Sequence, residues 1–148
     1  MTLLINPIAS PLQMGRYEGD RLVETVMLEG RASDVLLGAL EEMLDAYDIK
    51  RIVYANGPGS YMAIKLTYVT LATLEIVRGI PFAACSAFAL NDNRPIRAMG
   101  QLYFVKEKET IITQKIDENV PQEFGLPNTL GSLVFAQEKT PLYILPAV

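Results

Sequence analysis

The sequence predicts an α/β chain in which helices pack on a mixed sheet. Three observations carry this. Short strand-like runs open the chain before any helical pattern appears. Two helical segments follow, each succeeded by a β-branched or apolar run, the order of parallel strands joined through helices. The 148 residues, 50% of them hydrophobic, suffice for one core without staples.

The elements follow in order. Thr2–Ile5, "TLLI", is a short apolar run suited to a buried strand. "PLQMGRYEGDR" holds Gly15 and Gly19, which are expected to punctuate two turns, and "RLVETVML" reads as a further strand. Together they suggest an antiparallel meander. Over Asp34–Asp48 the wheel gathers Val35, Leu36, Leu37, Ala39, Leu40, Met43, Leu44, Ala46 and Tyr47 on one side. Ser33 is the expected N-cap, and Asp34 suits the positive helix end. The apolar arc spans roughly 200°, wider than the ~100° stripe that one packed face needs. Either two elements of the same chain cover it, or part of it meets another protein.

"KRIVYA" then predicts a parallel central strand, and "PFAACSAFAL" another buried strand. The helix between them is stopped by Gly79 and Pro81. This order of strands and helices is that of a ribonuclease-H-like or actin-like unit. The expected division is an N-terminal subdomain over 1–95 and a smaller one over 96–148.

Composition excludes several functions. There is no histidine and one cysteine, Cys85, so Ser-His-Asp and Cys-His chemistry and ordinary zinc sites are not available. Carboxylate sites for magnesium stay open. Net charge is −4 and no Lys/Arg cluster appears, so tight autonomous binding to nucleic acid is not expected. No apolar run reaches the ~18 residues of a membrane span. "MTLLINPIAS" does not read as a signal peptide, which predicts a cytoplasmic protein.

The turn Gly57-Pro58-Gly59-Ser60 is the most pointed motif. It lacks the lysine and spacing of a phosphate loop, and it lacks the trailing glycine of a nucleophile elbow. Lys65 is poorly placed to activate Ser60. The plain reading is a tight turn with Ser60 capping the next helix. That helix carries apolar residues in every direction: Tyr61, Met62, Ala63, Ile64, Leu66, Tyr68, Val69, Leu71, Ala72, Leu74, Ile76 and Val77. Such a helix must be covered on all sides. In a domain this small, a partner surface is expected to complete the cover, and the turn serves to aim the helix.

"GPGSYMAIKL…LEIVRGIPFAACSAFAL" resembles the signature of the TsaB (YeaZ) family, which reads G-P-G-S-F-T-G-L-R-I-G, then a helix ending in G-I-P, then a V-S-S-L-E-A-L-like segment. Gly57, Pro58, Gly59, Ser60, Tyr61, Ile64, Lys65, Gly79, Ile80, Pro81, Ser86 and Leu90 match or are conservative. Met99–Phe104 resembles the family's M-G-E-V-Y-W strand, and Pro141–Ile144 its closing P-x-Y-L strand.

The resemblance implies an actin-like (ASKHA) fold and a role in forming N6-threonylcarbamoyladenosine at tRNA position 37. It implies a non-catalytic subunit that pairs with the catalytic TsaD through two helices, with the ATPase TsaE joining them. The tRNA would be met only through the complex. On that basis the partner face is expected to use Val35, Ala39 and Met43 of the first helix. From the second it is expected to use Tyr61, Ala63, Ile64, Thr67, Thr70, Leu71 and Leu74. Leu71→Arg is then expected to abolish association while leaving the fold largely intact. No catalytic residue, metal ligand or cofactor is expected of this chain alone; ATP or ADP would be met only at the partner interface. Self-pairing through the same helices is expected when the partner is missing.

Three departures from the family pattern stand out. Where the family has I-D-T-S, this chain has Ile5-Asn6-Pro7-Ile8, so a carboxylate and a backbone donor are gone. Thr67 and Leu71 are bulkier than the small residues usual there. The second subdomain is reduced, which reads as an internal deletion. Residues 105–133 would then be a hairpin and an exposed connection, with Lys106-Glu107-Lys108-Glu109 as a solvated turn. Older descriptions of the family suggest a metalloprotease-like activity, which the missing histidine opposes. The competing reading is a small hydrolase or phosphotransferase acting alone through Gly57–Ser60.

Overall fold

The protein is described from a computed structural model covering residues 1–99, 101–107, 110–118, 120, 122 and 124–142. It is a mixed α/β fold with eight strands and two α-helices among those residues. Strands β1 (Thr2–Asn6), β2 (Leu12–Glu18) and β3 (Arg21–Leu28) make the expected antiparallel meander. β4 (Arg51–Ala55) pairs parallel with β1, and β5 (Phe82–Cys85) parallel with β4. The sheet order is β3-β2-β1-β4-β5: β1 is the central strand, and β4, expected there, is interior and parallel between β1 and the edge strand β5. β6 (Ile96–Met99), β7 (Leu102–Glu107) and β8 (Thr110–Lys115) form a separate antiparallel sheet.

The large sheet is buried on both faces. Leu3, Ile5, Met14, Ile52 and Tyr54 face helices α1 (Ala32–Ala46) and α2 (Tyr61–Arg78). Leu4, Tyr17, Val53 and Cys85 face β6, β7 and the C-terminal segment, with Phe88 packed among them from the 3₁₀ turn Ala87–Leu90, where the continued strand was expected. Side-chain alternation along β1 sends successive residues to the two faces, and both find apolar cover.

Residues 124–142 hold one 3₁₀ turn, Leu130–Ser132, and isolated antiparallel bridges from Thr129 to Arg21 and from Phe135 to Cys85, yet no strand, and they are well fixed. Side chains from the sheet supply donors to their carbonyls: Tyr17 Oη donates to Pro127 at 2.6 Å and Tyr54 Oη to Lys139 at 2.6 Å. Gln13 Nε2 donates to Phe124 and Asn56 Nδ2 to Thr140, each at 3.0 Å. An irregular segment laid over a core needs its backbone groups matched in this way. Its Ala136 N–H also reaches the carbonyl of Ala84 at 2.8 Å, covering part of the β5 edge.

Several expectations need correction. Gly15 is not in a turn but inside β2, where glycine is needed because a Cβ would meet Leu126 Cδ1 at 2.9 Å and Leu22 Cδ1 at 3.0 Å. Ser33 does not cap α1. The Arg31 carbonyl already receives the Val35 N–H at 3.1 Å, so the helix starts at Ala32 with Ser33 in its first turn. Met99–Phe104 is not one strand: Met99 ends β6 and pairs with Leu102 at the start of β7. Pro141 and Leu142 are not strand; Leu142 donates its N–H to the Asn56 carbonyl at 2.8 Å. Gly100, Lys108, Glu109, Tyr143 and Ile144 lie outside the described residues. Lys106 and Glu107 are exposed at the end of β7.

Candidate functional site

The turn after β4 aims α2. Gly57 and Gly59 take φ of 133° and 158°, and the Gly57–Pro58 peptide is cis. The Gly57 carbonyl receives the Ala87 N–H at 2.8 Å, which ties the turn to the segment after β5. A Cβ on Gly59 would lie 2.7 Å from Ile8 Cγ2 and 2.8 Å from two further Ile8 carbons. The β1–β2 connection therefore packs directly on the turn, and only glycine fits. Gly59→Ala is expected to lower stability by about 1–3 kcal/mol through this overlap, read from the denaturant midpoint. An unchanged midpoint would show that Ile8 yields freely.

Ser60 occupies the N-cap position of α2, but its side chain makes no cap bond. It lines a cavity of about 340 Å³ with Ile8, Ser10, Gln13, Arg97 and Phe124. Among the described residues that lining includes no carboxylate and no lysine, so nothing there takes a proton from the Ser60 hydroxyl. The Asn6 side chain stands where the family has its carboxylate. It is fully buried; its Oδ1 accepts the Ile8 N–H at 3.1 Å, which holds the β1–β2 turn, while its Nδ2 is buried with no hydrogen-bond partner among the described residues. The described residues contain no group of three or more Cys, Asp or Glu that could hold a metal ion. Burial pushes the Cys85 thiol up to about 12, far from a nucleophile's range.

The helix surfaces are more informative. Ile64, Thr67, Leu71 and Leu74 are buried in the chain's own core. This removes four members of the expected partner face: at spacing 3-4-3 they make the stripe that lies on the sheet. Of the rest, Tyr61 is exposed, and Val35, Ala39, Met43, Ala63 and Thr70 are half-buried. The face left outside is another stripe of α2, Met62, Leu66, Val69, Thr73 and Ile76, at spacing 4-3-4-3. Met62 is 76% exposed, Val69 50% and Ile76 85%, with Val77 beside them at 72% and Leu37 of α1 at 52%. Thr67, Thr70 and Thr73 each donate their hydroxyl to the carbonyl four residues back at 2.8 Å. That satisfies each hydroxyl within the helix, which suits Thr67 to the core and Thr73 to the ridge.

The two helices run with their C-terminal ends together, where Arg78 Nη2 meets Asp45 Oδ1 at 3.4 Å. On its far side α2 is held to the C-terminal segment. Glu75 accepts from Lys139 Nζ at 2.9 and 3.0 Å, and that ammonium sits 4.3 Å above the Phe82 ring. α2 is thus clamped on its sheet and β5 sides and left bare on its outer ridge. Among the described residues no helix is long and apolar enough to cross a membrane.

No family model and no curated protein matches the chain. Solved structures do. YeaZ from Pseudomonas aeruginosa superposes with a TM-score of 0.59 and 13% identity, over 93% of this chain and 64% of that one. An uncharacterised protein with similarity to peptidase YeaZ from Pseudomonas aeruginosa gives a TM-score of 0.58 and 14% identity, over 91% of this chain and 65% of that one. The chain spans just under two thirds of the length of each. With turn, helices and meander placed as described, the chain has the fold of YeaZ.

Proposed function

We propose that this chain is a non-catalytic scaffold subunit with an actin-like (ASKHA-type) fold and a reduced second subdomain. It binds a TsaD-like catalytic partner that carries out N6-threonylcarbamoylation of tRNA adenosine 37. A TsaE-like ATPase joins the assembly, tRNA is reached through the complex, and any ATP or ADP is met at the shared interface. The observation that carries this reading is the bare apolar ridge of α2, Met62, Val69 and Ile76, on a YeaZ-like fold. A contiguous apolar ridge of this kind marks an interaction surface. Without the partner, the same ridge pairs two copies weakly.

The test is association of the purified chain with the TsaD-like protein of the same genome. Met62→Glu with Ile76→Glu is expected to weaken binding at least ~30-fold, since each central anchor of an interface contributes about 2 kcal/mol. Circular dichroism should be unchanged, because both side chains are exposed. Full binding by the double variant overturns the reading. Loss of turnover by Ser60→Ala in the isolated chain would favour a hydrolase instead.

A further inference from the structure

The cavity beside Ser60 has polar atoms at its wall that the chain itself leaves unmatched. Asn6 and Gln13 stand directly opposite each other in the β1–β2 register, so their side chains share one face of the sheet. Both are buried, at 0% and 7% exposure. Their amides cannot be turned end for end. Asn6 Oδ1 accepts the Ile8 N–H, which leaves Nδ2 as the spare donor. Gln13 Nε2 donates to the Phe124 carbonyl, which leaves Oε1 as the spare acceptor. Neither Nδ2 nor Oε1 has a partner among the described residues. Buried polar atoms left in this state are costly and uncommon. Gln13 and Phe124 both line the cavity, which sets this donor and acceptor at its wall.

The rest of the lining suits a single negative charge. α2 begins at this cavity: Ser60 is its N-cap, and the Ser60 hydroxyl makes no cap bond. A helix start offers N–H groups and a positive partial charge to an anion. Arg97 is the one charged side chain of the described lining. It is held in place: its Nη2 donates to the Tyr103 hydroxyl at 3.0 Å, and its backbone N–H to Gln122 Oε1 at 3.3 Å. Ile8, Ile96 and Phe124 supply apolar wall.

We infer that this cavity binds a small organic monoanion, a carboxylate with a hydroxyl on the neighbouring carbon. The carboxylate meets Arg97 and the start of α2. The hydroxyl accepts from Asn6 Nδ2 and donates to Gln13 Oε1. An ammonium in its place has no lone pair for Asn6. A phosphate dianion brings a second charge with no second cation in the described lining to meet it. A volume of about 340 Å³ lies at the small end of ligand cavities. This inference is independent of the scaffold reading, and either can fail without the other.

The experiment titrates the full isotope-labelled chain with lactate, propionate, alanine, inorganic phosphate and ATP with magnesium, and reads amide shifts by NMR. Lactate and propionate differ by one hydroxyl. Lactate is expected to shift the side-chain amides of Asn6 and Gln13 and the backbone amides at the start of α2. It is expected to bind about tenfold more tightly than propionate or alanine, since a site built to hydrogen-bond a hydroxyl rejects the analogue without it. Arg97→Gln is expected to weaken lactate and propionate alike by about tenfold, through loss of a charge-assisted contact. Gln13→Met, checked for folding by its melting curve, is expected to bring lactate down to the propionate level. Equal binding of lactate and propionate by the native chain overturns the inference, whether or not either variant folds. Tighter binding of phosphate or of ATP with magnesium overturns it too, as does the absence of any shift at these amides.

Discussion

Leu71→Arg is expected to unfold the protein rather than to strip away a partner. Leu71 is 1% exposed and packs in the core between α2 and the sheet, with Ile64, Leu74 and Tyr54 in the same cluster. An arginine there either buries an unpaired cation or forces the helix off the sheet. Both outcomes belong to the short class of substitutions that cost about 4 kcal/mol or more. Total stability for a domain of this size is about 5–15 kcal/mol, so much of the margin goes. The melting temperature should fall by about 10 °C or more. Ile76→Arg is the matched control on the same helix. Its side chain is exposed, so the same charge should shift stability by no more than about 0.5 kcal/mol. Thermal unfolding of the two variants, followed by circular dichroism, reads the difference directly. Equal melting temperatures would mean that the faces of α2 are wrongly assigned.

That contrast also shows how far the sequence could be read. Both the buried stripe Ile64, Thr67, Leu71, Leu74 and the outer stripe Met62, Leu66, Val69, Thr73, Ile76 have three-and-four spacing. Periodicity announces that α2 is covered on two sides but carries no sign for which side is the chain's own. Lys65 was the available sign: it lies three residues from Met62 and four from Val69, on the outer stripe, and a lysine does not point into a sheet. The meander, the parallel β4 and the Gly79 stop were legible because each rests on local chemistry. Gly79 takes φ of 69° and its N–H reaches Glu75 at 3.0 Å, the left-handed close that glycine favours.

What was not legible depends on distant chain. Gly15 looks like turn punctuation until Leu126, more than a hundred residues on, is seen to fill the space that a Cβ would need. Residues 124–142 have no periodicity to read, because sheet side chains rather than their own pattern hold them. Tyr17 and Tyr54 look like ordinary strand aromatics in sequence; in the fold each donates its hydroxyl to a carbonyl of that segment. The turn Gly57–Ser60 was legible as a turn, but the contact of Gly59 with Ile8 comes from the β1–β2 connection and no local signal announces it.

These same buried hydroxyls give the fold an alkaline limit, and stability is expected to fall steeply above pH 9. Burial pushes the Cys85 thiol from 9.0 up to about 12. Burial first, then the neighbouring Cys85, raises Tyr17 above its ordinary 10.0; burial first, then Tyr68, does the same for Tyr54. In each case the folded state holds the proton and the unfolded chain releases it sooner. The stabilisation is therefore complete below pH 9 and is lost as pH climbs toward the folded values. The slope is up to about 1.4 kcal/mol per pH unit for each group. Cys85 alone accounts for about 4 kcal/mol between pH 9 and 12, and the tyrosines add to it from pH 10. An ionised Tyr17 or Tyr54 would also face the Pro127 or Lys139 carbonyl without a proton to donate, so the C-terminal segment should be released early. Melting temperature measured from pH 7 to 11 should be level to about pH 9 and then drop, and Cys85→Ala should delay the drop by about one unit. A native melting temperature that stays level to pH 11 would show that water reaches these side chains.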